Sequence, residues 1–227
     1  MKILKSLSFL FFSIPLFLKS QNEVLGTWNI LNVRYALNPK VSVFGEGQIR
    51  SLNFYNQFHY YEFKGGFQYQ LNPNLNIGMA GGSYQTFKEG GNFELPKNNN
   101  EFRLWPQIIL SQQISKLKIE HRYRAEFRFT TNGFRNRFRY RLGFSYPVIQ
   151  KNKLNTSIYL NNEIFFTDNE PYFERNRIAF GIQHMISKKS TILIGYLHQF
   201  DYKINDETGR DFIQIGYFLN LSNPKLN

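Results

Sequence analysis

Every second residue from Lys118 to Arg128 is charged, and the residues between and beside them are Leu117, Ile119, His121, Tyr123, Ala125 and Phe127. A period of two is the period of a β-strand, whose successive side chains point to opposite faces. A helix would scatter these charges around its circumference. Residues 61–71 repeat the pattern, with Tyr61, Phe63, Phe67, Tyr69 and Leu71 against Glu62, Lys64, Gln68 and Gln70. Residues 136–146 do so again, with Phe138, Tyr140, Leu142, Phe144 and Tyr146 against Arg137, Arg139 and Arg141.

Read this way, the chain carries eleven strand segments: 27–37, 41–50, 59–71, 75–87, 100–110, 117–128, 135–146, 154–166, 174–186, 191–202 and 210–221. The connections alternate. Asn38-Pro39-Lys40, Asn72-Pro73-Asn74, Ser111 to Lys116, Pro147 to Lys153 and Ser187 to Ser190 are short turns. Segments 51–58, 88–99, 129–134, 167–173 and 203–209 are longer or less regular. Strands of about ten residues, with short turns at one rim and longer loops at the other, describe an outer-membrane barrel. Single-chain bacterial barrels have an even strand number. Ten or twelve strands are therefore expected, with one segment split or invented, or one missed within 21–28.

The N-terminus supports export. Met1 to Lys5 is a basic start, Leu7 to Leu18 an apolar core, and Ser20 a small residue before Gln21. This is the layout of a cleaved signal peptide, too short to span a bilayer. The expected organisation is a signal peptide at 1–20 and a barrel at 21–227. The chain has no cysteine, which excludes disulfides, thiolate metal sites and thiol nucleophiles. After residue 20 no apolar run of 18 residues occurs. A membrane-embedded mature chain must then be a closed barrel, because lipid tolerates only backbones that satisfy their own hydrogen bonds.

The net charge of +12 becomes informative through its placement. Arg34, Arg50, Arg103, Arg122, Arg124, Arg128, Arg135, Arg137, Arg139, Arg141, Arg175 and Arg177 all fall on the polar faces of strand segments. Lysines such as Lys40, Lys116, Lys188 and Lys189 fall in turns. A charge facing lipid at mid-bilayer costs about 2–4 kcal/mol, so the arginines must face the lumen. There Glu46, Glu62, Glu101, Glu120, Glu126 and Glu163 can accept their forked hydrogen bonds. The twelve arginines with Lys64 and Lys118 exceed these six carboxylates by about eight charges. Water, small anions or an anionic ligand would have to balance the rest. The run 135–141 looks like an aromatic-interleaved nucleic-acid patch. As a strand it points its arginines and aromatics to opposite sides, and nucleic acid is not an expected partner.

Aromatics near strand ends (Trp28, Tyr84, Phe87, Trp105, Phe129, Phe165, Phe166, Phe200 and Tyr202) suit interfacial girdles. Parity places His121, His184 and His198 on the apolar faces, an interfacial position. His59 lies near the outer rim with Asp168, Glu170 and Asp201, but no motif joins them. The sequence holds no phosphate loop, nucleophile elbow or metal-ligand spacing. No catalytic residue, metal or cofactor is expected, and the chain does not read as an enzyme.

The charged segments together resemble a family of uncharacterised outer-membrane barrels of Bacteroidota, a domain of unknown function. The resemblance rests on Glu46-x-Gln-x-Arg50, Glu101-x-Arg-x-Trp105-x-Gln107 and His121-Arg-Tyr-Arg-x-Glu126-x-Arg128. It continues through Asn136-Arg-x-Arg-Tyr-Arg141, Asn162-Glu163-x-Phe-Phe166 and Arg175-Asn-Arg177. It implies a barrel in the outer membrane of a Gram-negative cell, meeting its lipid and the barrel-assembly machinery, with no established substrate. Three roles stay open: a narrow pore or binding barrel for small anions, a closed salt-bridged barrel with a structural or interaction role, and a lipid-modifying enzyme at the outer rim.

Overall fold

The computed structural model describes residues 24–151, 154–202 and 207–224. The signal-peptide segment and Lys153 lie outside these residues. Eleven strands form one closed barrel among the described residues. They are β1 (Gly26–Ala36), β2 (Val41–Asn53), β3 (Asn56–Asn72), β4 (Leu75–Lys88), β5 (Glu94–Ile114), β6 (Leu117–Thr130), β7 (Gly133–Lys151), β8 (Leu154–Thr167), β9 (Phe173–Met185), β10 (Ser190–Asp201) and β11 (Thr208–Ser222). Each strand pairs antiparallel with its sequence neighbours. The exception is the closing seam, where β1 runs parallel to β11 from Gly26↔Phe212 to Ala36↔Ser222.

The expected even strand count is therefore corrected to eleven. A ring of an odd number of strands cannot alternate direction throughout, so one pair must be parallel. Because of it, β1 begins at the rim where β11 begins, and β11 ends at the opposite rim.

Several strands run beyond the segments read from the sequence. β5 extends from Glu94 to Ile114 and β7 to Lys151. The expected loops 51–58 and 129–134 shrink to the turns Phe54-Tyr55 and Thr131-Asn132. The backbone takes up these turns with φ of 50° at Tyr55 and 104° at Gly133. Polar residues such as Asn99 and Gln112 read as loop because they leave the apolar alternation. Their backbones nevertheless continue the ladder, since pairing needs main-chain groups and not apolar side chains. At the second rim, residues 89–93 and 168–172 remain the longer connections.

The alternation sorts side chains as a barrel requires. Leu31, Phe63, Phe127, Phe138, Leu160, Phe180 and Ile194 stand exposed on the outer wall. The lumen holds the polar face, but not only that. Trp28, Tyr159, Ala179, Leu193, Leu197 and Phe212 form a buried apolar cluster inside the barrel, against the parallel seam. Trp28 and Phe212 meet edge to face at 5.6 Å. Parallel pairing is slightly weaker per residue than antiparallel. Burying a side chain such as Phe212 behind it is worth about 1.5–3 kcal/mol.

Gly195 makes this cluster possible. A Cβ there would stand 2.1 Å from the Tyr159 Oη and 2.7 Å from the Phe180 carbonyl. Gly195→Val must displace Tyr159 and is expected to cost about 1–3 kcal/mol, read as a lower urea midpoint of the detergent-solubilised barrel. An unchanged midpoint would show that the close approach is not tight.

Candidate functional site: the charged lumen

The lumen network is built from strand residues two apart and cross-strand neighbours. Glu101 on β5 accepts two hydrogen bonds from Arg103 (2.6 and 2.9 Å) and two from Arg128 on β6 (2.5 and 3.1 Å). Glu126 accepts from Arg137 (2.8 and 2.5 Å), Arg139 (2.5 Å) and Arg124 (3.4 Å). Glu163 on β8 takes both oxygens to Arg139 at 2.9 Å and one to Arg122 at 2.7 Å, with Arg177 at 4.0 Å. Arg177 also donates to Gln199 on β10.

On the other wall, Glu62 receives Arg50 (3.1 Å), Lys64 (2.6 Å) and the Tyr60 hydroxyl. Lys64 reaches on to Glu46 at 2.6 Å, and Asn32 and Gln48 donate to the same carboxylate. Nearer the first rim, Glu120 pairs with Arg141 (2.6 Å) and Lys118 (3.3 Å).

These bonds answer a repulsion that the register creates. Arg122 lies opposite Arg141, Arg124 opposite Arg139 and Arg128 opposite Arg135. Like charges directly across a ladder destabilise it. A carboxylate shared between several guanidiniums offsets this, and the fork of arginine lets one side chain serve two carboxylates.

Ten of the twelve predicted arginines point into the lumen. Arg34 and Arg135 lie on the expected face but at rim level, exposed. Two carboxylates at strand ends that the sequence reading did not count as partners join the network. Glu174 bridges Arg137 (3.0 Å) and Arg128 (3.5 Å), and Asp201 pairs with Arg175. These four changes halve the expected excess of positive charge to about four. The signal was present: Asp201 shares the parity of Gln199. Glu174 does not share the parity of Arg175, and a bulge at Phe165/Phe166 brings it in.

The girdle assignment needs the larger correction. Trp28, Tyr84, Trp105 and Phe165 are buried in the lumen, at 4%, 3%, 0% and 0% exposure. They have the parity of the arginines. The Arg50 guanidinium lies between Trp28 (3.4 Å) and Tyr60 (4.0 Å). Arg103 covers Tyr84 (3.7 Å), and Arg139 and Arg177 cover Phe165 (4.6 and 4.8 Å). A guanidinium over a ring keeps its edge free for carboxylates, so the aromatics position the cations. Phe87 is buried elsewhere, against Tyr61 and Phe93. Phe129 and Phe166 do face outward.

The four rim candidates are not brought together. Asp201 belongs to Arg175, and His59 is buried beside Tyr60. Asp168 is exposed and accepts from the Asn136 amide at 2.7 Å, a bond that holds its carboxyl below the ordinary value. The outward histidines find polar partners on the wall: His121 with Tyr140, His184 with Thr156 and His198 with Asp211, each at 2.8 Å.

Removing one partner of a fully buried ion pair leaves an uncompensated charge. Glu126→Gln is expected to cost about 3–5 kcal/mol in urea unfolding of the solubilised barrel, since Arg137 and Arg139 lose their shared acceptor. Glu120→Gln, at the wetter end of the network, should cost clearly less. Equal losses would mean that burial does not set the strength of these pairs.

No curated protein matches the chain. A family model does, over residues 25–210, which spans β1 to the start of β11 and so nearly the whole barrel. The chain belongs to the DUF2490 family, described as proteins of unknown function.

Proposed function

We propose that the protein is an outer-membrane barrel of a Gram-negative cell whose lumen is closed by its own side chains, so that its role is structural or interactive rather than conductive. The observation that carries this is the packing inside the ring. Trp105 and Phe165 are fully buried, and Glu101 and Glu126 are 1% exposed inside the ring. Large rings and bonded carboxylates packed to this degree support a lumen filled by its own side chains.

The membrane assignment rests on the outer wall. Its exposed Phe, Leu and Ile side chains form a far larger apolar surface than a water-soluble monomer presents. Every strand is long enough to cross the apolar core when tilted. The signal-peptide layout fits export, and the barrel-assembly machinery and membrane lipid are then its partners. The first rim, with its lysine turns, faces the periplasm in this reading.

A second reading, a lumen that holds small anions, draws on the remaining positive excess. The directly opposed pairs Arg122/Arg141 and Arg124/Arg139 share only Glu120, Glu126 and Glu163.

Planar-bilayer recording separates the two. The closed barrel should show no sustained conductance, and steady anion-selective steps would overturn it. Replacing Arg137 and Arg139 together with Gln should lower the temperature at which the barrel unfolds on a gel while the bilayer stays sealed.

A further inference from the structure

The lumen network leaves one charged cluster unused, on the outside of the barrel. On β10, Tyr196 and His198 point outward with Ile194, and Asp211 on β11 faces them. His198 Nδ1 donates to Asp211 Oδ1 at 2.8 Å, and the Tyr196 hydroxyl donates to the same oxygen. Asp211 is 8% exposed, whereas the His198 side chain is 42% exposed. A carboxylate on an apolar wall is costly unless it is bonded, and here the bonds also fix the histidine. Asp211 sets the tautomer: with Nδ1 carrying the proton, Nε2 presents a lone pair outward.

Gly209 keeps the space beside that nitrogen. A Cβ at this position would stand 3.1 Å from His198 Cε1 and 3.6 Å from Nε2. Gly209 and Asp211 also line a cavity of about 230 Å³ at the second rim, with Val24, Leu52 and Arg210. The dyad thus has an oriented base on a ring that is itself accessible, and an apolar wall of Ile194, Ile213 and Phe180 running away towards the other rim.

We propose that His198 and Asp211 form a hydrolytic site for carboxylic esters of membrane lipids. Acyl chains would lie along the apolar wall and the ester would stand at His198. His198 Nε2 takes a proton from water as the water oxygen bonds to the ester carbonyl carbon. The bond from that carbon to the alkoxy oxygen then breaks, and the proton on Nε2 passes to the departing alcohol. A fatty acid and a lysolipid alcohol are the products, and no other reactant is consumed. His198 is the catalytic base, and Asp211 is a positioning residue that holds the ring and its tautomer. The proposal rests on the reading of the outer wall as lipid-facing.

The test uses the purified full-length barrel with a diacyl glycerophospholipid in detergent micelles, measuring released fatty acid. The expected result is turnover by the native protein and a fall of about a hundredfold or more in His198→Gln. Asp211→Asn should lower kcat with KM unchanged, because it disturbs the base and not lipid binding. Gly209→Val, which fills the space beside Nε2 and leaves both dyad residues in place, should also abolish release. The dialkyl ether analogue should yield nothing. No release by the native protein, or release by His198→Gln at the native rate, would overturn the proposal. Either result leaves the closed lumen to its own conductance test.

Discussion

The structure depends on the sharing of carboxylates among guanidiniums. Glu126 alone serves Arg124, Arg137 and Arg139. The interior of this barrel is packed with side chains, most of them polar. Arginine suits such an interior, since its planar fork loses little hydration energy and reaches two acceptors at once. The cost is repulsion between arginines stacked across neighbouring strands. Each glutamate placed between them turns that repulsion into a network spanning β5 to β9. Lysine could not do this, having one compact charge and no fork, and it appears in the lumen mainly where a single nitrogen bridges Glu46 and Glu62.

The aromatic rings supply what the carboxylates cannot. A guanidinium bonded at its edge still has two faces to cover. Trp28 and Tyr60 cover those of Arg50, while Phe165 lies beneath several arginines. The lumen is therefore layered, with cations between rings and anions at their edges. On the β10, β11 and β1 side the charges thin out to Asp201 at the end of β10, and apolar side chains fill the space behind the seam.

Much of this was legible in the sequence, because strand alternation reports facing directly. The strand segments, the inward arginines and their six glutamate partners followed from parity. What parity offered but the reading passed over was the facing of Trp28, Tyr84, Trp105 and Phe165. Their position near strand ends suggested a girdle, although they share the arginine face. Other features had no local signal. The entry of Glu174 depends on a bulge, the pairing of His198 with Asp211 on the register between β10 and β11, and the seam on how the whole sheet closes. Long-range register is decided by packing over the full ring, and no short stretch of residues encodes it.

The parallel seam sets how the chain is threaded. A barrel with an even number of strands returns its second end to the face by which the first entered. Here the chain makes one crossing more than it retraces, so the start of β1 and the end of β11 emerge on opposite faces of whatever layer surrounds the barrel. Segments attached to the two ends would be held at opposite rims by a single covalent thread. The barrel is then a rivet with a distinct head and tail, one chain end at each rim.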